Sequence, residues 1–255
     1  MPRPKTYTGR ESPDLSRPSG WKNPTTYTVM LPTGNFPPYH AGLNLRTIMY
    51  GHKKMLWAWL KFMDDFGDMD SFRELGVTSS GRVLDALEPR TMKWPGHGLP
   101  DDASMNQIVE GEYMMSDEYD ASMLDPSDYN LRVTLPRTAG LFEPFNKLPP
   151  MRYIQGAQCV AALADPEIRK TFQTLMDMAD EYRTWQSAMA EIRKIAMERG
   201  YPSLTGGGLM TGAPFDHLAD LMRGTHGISI DMFRQPQKLH EAMNRRLTMI
   251  IETFV

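Results

Sequence analysis

The segment Thr91-Met-Lys-Trp-Pro-Gly-His-Gly-Leu-Pro100 indicates the fold class. Residues 91–94 form a candidate strand, and the glycines and prolines that follow force a tight, irregular loop. A short helix is predicted just before the strand, over residues 82–87. Strands that alternate with helices in this way favour an α/β fold, in which helices cover both faces of a parallel sheet.

Further candidate strands lie on both sides of this segment. Residues 27–31, Tyr-Thr-Val-Met-Leu, are β-branched and apolar, and a proline and a glycine follow them closely. The other candidates are residues 69–72, 107–109 and 203–210. The sequence thus predicts only four or five strands.

Helical patterns occupy much of the remaining chain. Apolar residues spaced three and four apart predict a helix over residues 45–66. Residues 116–200 show almost only helical patterns, and the longest helix begins at Asp165-Pro-Glu167 and continues to about Arg199. We interpret this block as a helical insertion, because it is too long for a single crossover between strands. Two more helices are predicted over residues 213–222 and 236–255.

Charge and cysteine content exclude several classes of protein. The 28 Lys and Arg residues face 31 Asp and Glu residues, so the net charge of -3 gives no basic excess for nucleic-acid binding. The single cysteine, Cys159, cannot form an intramolecular disulfide and fits a reducing compartment. Residues 1–26 predict a flexible leader without a signal-peptide core, and no stretch has the apolar length of a membrane span. We therefore expect a cytoplasmic protein that does not bind a membrane.

The loop after residues 91–94 has the composition of a ligand-binding loop. Trp94 offers an aromatic surface, His97 offers a titratable imidazole, and Gly96 lets the backbone approach a ligand closely. In α/β proteins, sites form at the carboxyl ends of strands, which is where this loop lies. The alternative is a tight turn that carries a surface histidine.

Two further regions contain candidate functional residues. Glu110 and Glu112 follow a candidate strand and share one face if that strand continues. Either one is a general acid or base if its surroundings raise its pKa, or else a solvated charge at a sheet edge. Farther along, Gly206-Gly-Gly208 precedes a helix after which Arg223 either pairs with a ligand carboxylate or caps the helix.

The sequence contains no pattern typical of a zinc site. Its six histidines include no His-x-x-x-His pair, and one cysteine cannot complete a Cys-rich set. We expect no metal and no cofactor held within this chain.

Several segments occur in a fixed order: Lys93-Trp-Pro-Gly-His-Gly-Leu-Pro100, Val109-Glu-Gly-Glu-Tyr-Met114 with Asp117-Glu-Tyr-Asp120, Asp125-Pro-Ser-Asp-Tyr129, and Ala213-Pro-Phe-Asp216 through Arg223-Gly224. In this order they resemble the uroporphyrinogen decarboxylase superfamily. They resemble more closely its uncharacterised decarboxylase-like branch, which is related to corrinoid-dependent methyltransferases. The resemblance extends from about Tyr27 to the end of the chain.

The resemblance implies a (β/α)8 TIM barrel, of which this chain supplies a part, with a pocket at the carboxyl ends of the strands. Members decarboxylate the acetate groups of uroporphyrinogen without a cofactor, or move methyl groups between a corrinoid protein and a thiol with zinc. It implies that His97 or Glu112 handles protons and that Arg223 binds a carboxylate. The other residues expected around the pocket are Trp94, Gly96, Phe215, Asp216 and Asp220.

Two departures from the family pattern affect the expected reaction. Asp220 stands where the decarboxylases carry a tyrosine that contacts the substrate, and Leu31-Pro-Thr-Gly-Asn-Phe-Pro-Pro38 occupies the region of their paired arginines. A substrate with many carboxylates needs cationic partners. We therefore expect methyl transfer linked to a corrinoid protein or cobamide. Uroporphyrinogen decarboxylation is the alternative, and a non-catalytic binding or scaffold protein is the alternative of another class.

Superfamily members continue past the last predicted helix, and the zinc ligands of the methyltransferases, a His-x-Cys pair and a later Cys, belong to that part. We therefore expect a C-terminally truncated chain whose open barrel must be covered by another chain. The resemblance implies zinc and a corrinoid as cofactors of the full-length protein. It implies a tetrapyrrole or corrinoid ligand, and a corrinoid protein or homodimer partner.

Overall fold

The computed structural model describes residues 33–67, 79–153, 155–201 and 212–254. The chain forms two compact units, one of residues 1–78 and 184–207 and the other of residues 79–183 and 208–255. Four predicted features lie outside the described residues: the leader over residues 1–26 and the strands over residues 27–31, 69–72 and 203–210.

The first unit is helical where it is described. Its elements are α1 (Phe36–His40), α2 (Leu45–Tyr50), α3 (His52–Asp65) and the end of α9 (Pro166–Glu198). A single helix was predicted over residues 45–66, but the backbone leaves the helical region at Gly51, with φ -131° and ψ 83°. Glycine costs about 1 kcal/mol relative to alanine inside a helix, which favours an interruption at this residue.

The buried side chains of the first unit lie mainly on α2 and α3. Within each helix they lie three or four positions apart, which is the helical period, and all are at most 4% exposed: Leu45, Ile48, Met49, Met55, Ala58, Trp59, Phe62 and Met63. The end of α9 contacts the same helices. The rings of His52 and Trp185 lie 5.3 Å apart, and Arg199 Nη1 donates to Asp64 Oδ1 at 2.6 Å.

The second unit combines helices with a small sheet. Its helices are α4 (Gly81–Leu87), α5 (Tyr119–Leu124), α6 (Pro126–Tyr129), α7 (Leu135–Thr138), α8 (Gln158–Ala162), the first part of α9, α10 (Pro214–Leu218), α11 (Gly224–Arg234) and α12 (Pro236–Phe254). Two π-helical turns, Asn130–Thr134 and Ala219–Arg223, and two 3-10 helices, Gly140–Lys147 and Met151–Tyr153, complete it.

The sheet contains three short strands, β1 (Met92–Pro95), β2 (Gly98–Leu99) and β3 (Gln107–Ile108), in the order β2-β1-β3. The predicted strands over residues 91–94 and 107–109 are confirmed, and the presence of both helices and a sheet agrees with the α/β class. The pairing differs from the parallel sheet that was expected. β1 is antiparallel to β3, because a loop rather than a crossover helix joins this part of the chain, while the two-residue pairing of β1 with β2 is parallel.

The predicted helical region over residues 116–200 contains α5 to α9. Asp125 caps α6 by accepting the amide of Asp128 at 3.0 Å, and Asp165 caps α9 by accepting the amide of Glu167 at 2.8 Å. α9 spans 33 residues, close to its predicted bounds. The helix predicted over residues 213–222 is instead α10 followed by a π-helical turn, α11 was not predicted, and α12 begins at Pro236 as expected.

The second unit buries two apolar clusters. The larger cluster joins α5, α6 and the helices from α10 to α12: Met114, Tyr119, Tyr129, Leu218, Ala219, Met222, Ile228, Leu239 and Ala242. The smaller cluster consists of Phe145, Leu148 and Ile168. In the part of the chain that the structure describes, no helix has the combined length and apolarity to cross a membrane.

Candidate functional site

The turn between β1 and β2 folds His97 back onto Trp94. The two rings stack with their centroids 4.4 Å apart and an angle of 16° between their planes. Backbone bonds fix this arrangement, since the amide of His97 donates to the carbonyl of Trp94 at 2.8 Å. Gly98 has a φ of 78°, and a Cβ there would lie 3.0 Å from the side chain of Lys93. The turn therefore requires glycine at this position.

An open cleft of about 390 Å³ lies beside this turn. Its volume is within the range of small-molecule sites, roughly 300–1,000 Å³. Trp94 is 4% exposed and forms an apolar wall. The residues that line the cleft are Asp85, Glu88, Pro89, Arg90, Met92, Lys93, Trp94, His97 and Val109. The cleft is large enough for a small ligand.

His97 is paired with a carboxylate from another element. Its Nε2 lies 3.0 Å from Oδ1 of Asp85, which α4 supplies. A carboxylate at this distance favours the tautomer of the neutral imidazole with the proton on Nε2. Sequence reasoning missed Asp85, because an acidic residue on a short amphipathic helix looks like an ordinary solvated charge.

Cationic and anionic groups alternate around the cleft. Arg90 donates to the carbonyl of Pro136 at 3.1 Å and pairs with Glu143. Glu88 has a left-handed backbone conformation with φ 51°. Its side chain packs closely on Gly140, since a Cβ added to Gly140 would lie 2.4 Å from Oε2 of Glu88. Lys93 is exposed. Lys93 is thus a cation that a ligand carboxylate would meet at this cleft.

Glu112 and Arg223 lie together in a second cluster, in which Arg223 is buried and the side chain of Glu112 is 48% exposed. Arg223 is 2% exposed and pairs with Glu112, while its Nε donates to Oδ2 of Asp231 at 2.6 Å. Its Nη1 also donates to the carbonyl of Met114 at 2.5 Å. Burial alone would lower the pKa of Arg223, but the bonds to Asp231 and Glu112 outweigh burial and raise it. The guanidinium is therefore charged and already has two carboxylate partners.

The carboxylate of Asp231 accepts three hydrogen bonds. Besides Arg223, it accepts the hydroxyl of Tyr119 at 2.8 Å and the side-chain amide of Gln235 at 2.8 Å. Burial would raise the pKa of Asp231, but these donors, with Arg223 first, outweigh burial and lower it. Burial and the bond to Asp231 raise the pKa of Tyr119 above its ordinary value. Arg223 and Asp231 thus connect the segment around Met114 to α11, and the neutral donors Tyr119 and Gln235 complete the hydrogen bonds of Asp231.

A second network also joins an arginine, a carboxylate and a tyrosine. Arg137 donates from both terminal nitrogens to Glu118, at 2.7 and 2.8 Å, and Tyr129 donates its hydroxyl to Glu118 at 2.8 Å. The amide of Met115 is a fourth donor, at 2.7 Å. The bonds from Arg137, with smaller contributions from the others, lower the pKa of Glu118 from 4.5 to about 2. No sequence pattern identified this network, because its members are 11 and 19 residues apart and meet only through the fold.

The structure separates the predicted site residues into two groups and leaves some outside both. Trp94 and His97 line the cleft and Gly96 lies in the turn between them, whereas Glu112 and Arg223 meet in the second cluster and do not line the cleft. The remaining predicted residues are in or beside α10: Phe215 is partly buried against the larger apolar cluster, and Asp216 and Asp220 are exposed.

A metal site is not formed by the described residues. Over residues 33–67, 79–153, 155–201 and 212–254, no group of three or more His, Cys, Asp or Glu side chains is arranged to hold a metal ion. The zinc ion that the resemblance implies therefore has no ligand set among these residues.

Comparisons with known proteins do not assign the chain to a family. It matches no protein-family model, no curated protein and no solved structure.

Proposed function

We propose that this chain is an enzyme of the uroporphyrinogen decarboxylase superfamily whose active site is the cleft beside β1. The proposed activity is methyl transfer linked to a corrinoid protein or cobamide. The ordered motifs of the sequence support the family, and the contact between His97 and Asp85 beside the wall of Trp94 supports the site. The proposal includes a (β/α)8 barrel, to which the predicted strands over residues 27–31, 69–72 and 203–210 would contribute.

The pairing of His97 with Asp85 suits proton transfer. A carboxylate that holds an imidazole by one nitrogen fixes the orientation and the tautomer of the ring. In methyl transfer to a thiol, such an imidazole takes the proton that the thiol loses. In decarboxylation, it supplies the proton that replaces carbon dioxide. Either reaction of the family therefore requires the same chemical property from His97.

Charge at the two groups of residues assigns different roles to Arg223 and to the cations of the cleft. Because Glu112 and Asp231 already neutralise Arg223, its role in this proposal is to position the segment that carries Glu112. Lys93 lines the cleft itself and is the proposed partner of a substrate carboxylate, whereas Arg90 is already paired with Glu143.

Two assays test the activity. The first supplies a methylated cobamide and a thiol and follows loss of the methyl–cobalt chromophore, and the second supplies uroporphyrinogen and follows loss of its carboxyl groups. Turnover in the first assay supports methyl transfer, and turnover in the second alone moves the proposal to decarboxylation proper. Absence of turnover in both, with folded protein, contradicts the enzymatic proposal.

Variants of the cleft test the site. His97→Ala should lower kcat by about 100-fold or more, the usual contribution of a positioned acid or base, and Asp85→Asn should lower it less. The control is Asp102→Asn, which removes an exposed carboxylate of a nearby turn and should leave kcat unchanged. An unchanged kcat in His97→Ala would remove this histidine from the reaction.

One observation favours a non-catalytic binding protein as the second candidate. Phe172 and Met176 lie one turn apart on α9, and they are 38% and 59% exposed. Apolar side chains in this arrangement suit a helix that packs against a partner, such as a corrinoid protein or a second subunit. Binding of such a partner without turnover would favour this candidate, and turnover by the isolated chain would exclude it.

A further inference from the structure

Arg246 on α12 is a partly buried cation without an acidic partner among the residues that the structure describes. Its Nη1 lies 3.0 Å from Nδ1 of His217, and its Nη2 contacts Sδ of Met222. A guanidinium carries five N–H donors and no acceptor, so Nδ1 of His217 must be the acceptor, and that imidazole is neutral. Two neutral acceptors use two donors, and they leave the charge of Arg246 uncompensated.

Arg246 lines a small depression, and Arg245 lines it as well. The depression lies between α5, the start of α6 and α12, and its volume is about 10 Å³. This is about the space that one water molecule or one oxygen of a larger group needs. The lining residues are Ser122, Met123, Pro126, Ala242, Arg245, Arg246 and Met249.

The acidic residues of the two helices beside the depression have other partners. Asp120 of α5 pairs with Lys238 at 2.5 Å, and Asp125, which caps α6, pairs with Arg152 at 3.2 Å. The hydroxyl of Ser122 donates to the carbonyl of Tyr119 at 2.8 Å, so it brings no proton to the depression. Arg245 and Arg246 are the charged residues of the lining, and the rest of the lining is mostly apolar.

We propose that Arg245 and Arg246 form a binding site for a phosphate-class oxyanion, with one of its oxygens in the depression between α5, α6 and α12. The planar fork of an arginine matches two oxygens of a phosphate, and three N–H donors of Arg246 are not used by His217 or Met222. Apolar walls strengthen the attraction, because the local dielectric is lower than in water. This site is separate from the cleft of the proposed function.

The oxyanion is either free phosphate or the terminal group of a larger ligand. Titration calorimetry at constant ionic strength with inorganic phosphate and with phenyl phosphate distinguishes the two sources. Similar affinities indicate that the group itself is recognised, and tighter binding of phenyl phosphate indicates a larger ligand. Acetate tests the class of anion and should bind at least tenfold more weakly, because it has fewer oxygens for two arginines.

Variants of the full chain test the residues. Arg246→Gln should weaken phosphate binding at least tenfold, and Arg245→Gln should weaken it severalfold. The matched control is Arg169→Gln, which removes the same charge from an exposed position of α9 and should bind as wild type does.

Wild-type affinity in Arg246→Gln, or phosphate binding no tighter than acetate binding, would overturn the proposal. If circular dichroism shows that Arg246→Gln does not fold, Arg245→Gln carries the test. Unchanged phosphate affinity in Arg245→Gln then overturns the proposal as well.

Discussion

Arg223 and Asp231 are charged side chains that are almost fully buried, at 2% and 1% exposure. Desolvation of two charges is costly, so the pair contributes little compared with apolar residues of the same volume. Removal of one partner is different, because it leaves the other charge buried without compensation. The unit therefore depends on keeping both residues rather than on the strength of their attraction.

We predict that Asp231→Asn lowers the free energy of unfolding by about 3 kcal/mol, the usual loss when a buried ion pair is broken. The control is Tyr119→Phe, which removes one neutral donor to Asp231 and should cost only about 1 kcal/mol. Urea unfolding followed by circular dichroism measures both. Equal losses in the two variants would mean that Asp231 contributes no more than one neutral hydrogen bond.

The pKa of Glu118 predicts how stability depends on pH. Because its pKa falls from 4.5 to about 2 in the folded chain, mainly through Arg137, the unfolded state binds protons more readily over this interval. The contribution of Glu118 is complete above pH 4.5 and is lost as the pH falls toward 2. We expect the free energy of unfolding to decrease over this window.

Glu118→Gln tests this dependence, since glutamine cannot titrate. The difference in free energy of unfolding between wild type and Glu118→Gln should be largest above pH 4.5 and should shrink as the pH approaches 2. A difference that stays constant from pH 6 to pH 2 would contradict the assignment. Asp117→Asn is the control, since this neighbouring carboxylate is exposed.

At the level of elements, the entry into α11 depends on one glycine. Gly224 has φ 68° and ψ 160°, a region that almost only glycine occupies. A Cβ there would lie 3.1 Å from Oε1 of Glu110 and 3.2 Å from the carbonyl oxygen of Gly111. The position therefore combines backbone strain with close contact to the segment that leads to Glu112.

Gly224→Ala should lower the free energy of unfolding by about 3 kcal/mol, near the upper end of the cost of a strained backbone. The control is Gly156→Ala, at which φ is 55° but no atom lies within 4 Å of the added Cβ. That variant should lose about 1 kcal/mol, because it brings backbone strain alone. Thermal unfolding of both variants separates the two contributions, and equal losses would show that the contact with Glu110 has no energetic effect.

Elements with strong local patterns could be predicted from the sequence. α9 and α12 begin at Pro166 and Pro236, where proline suits the first turn of a helix, and β1 ends where Pro95 and Gly96 force a turn. The π-helical turn at Ala219–Arg223 could not be predicted, because its residues have no distinct composition. Its geometry follows from packing against the segment around Met114, not from local preference.

At the level of the whole molecule, the chain has two compact units with buried side chains of their own. We predict that Asp231→Asn lowers hydrogen-exchange protection in α5 and α11 but leaves the protection of α3 unchanged. The reciprocal variant, Phe62→Ala, should lower protection in α2 and α3 and leave that of α11 unchanged. Equal loss of protection in α3 and α11 in either variant would show that the units open as one.

The candidate site shows which information a sequence lacks at this scale. Trp94, Gly96 and His97 are neighbours in the chain, so the sequence could predict their meeting. Asp85 reaches His97 from another helix, and neither residue type nor spacing indicates that contact. Glu112 and Arg223 are 111 residues apart, and their pairing shows that a cation assigned to a ligand can instead be neutralised within the fold.

The cluster around Arg223 also depends on the number of residues in the π-helical turn at Ala219–Arg223. The carbonyl of Met222 within it accepts the amides of Tyr113 and Met114, both at 2.7 Å. Loss of one codon here would let an ordinary helix form and would rotate each later side chain by about 100°. The guanidinium of Arg223 would then turn away from Glu112 and from the carbonyl of Met114, although every residue of the cluster was retained. Among descendants of this gene, a one-residue gap would therefore be as damaging as a substitution of Arg223 itself.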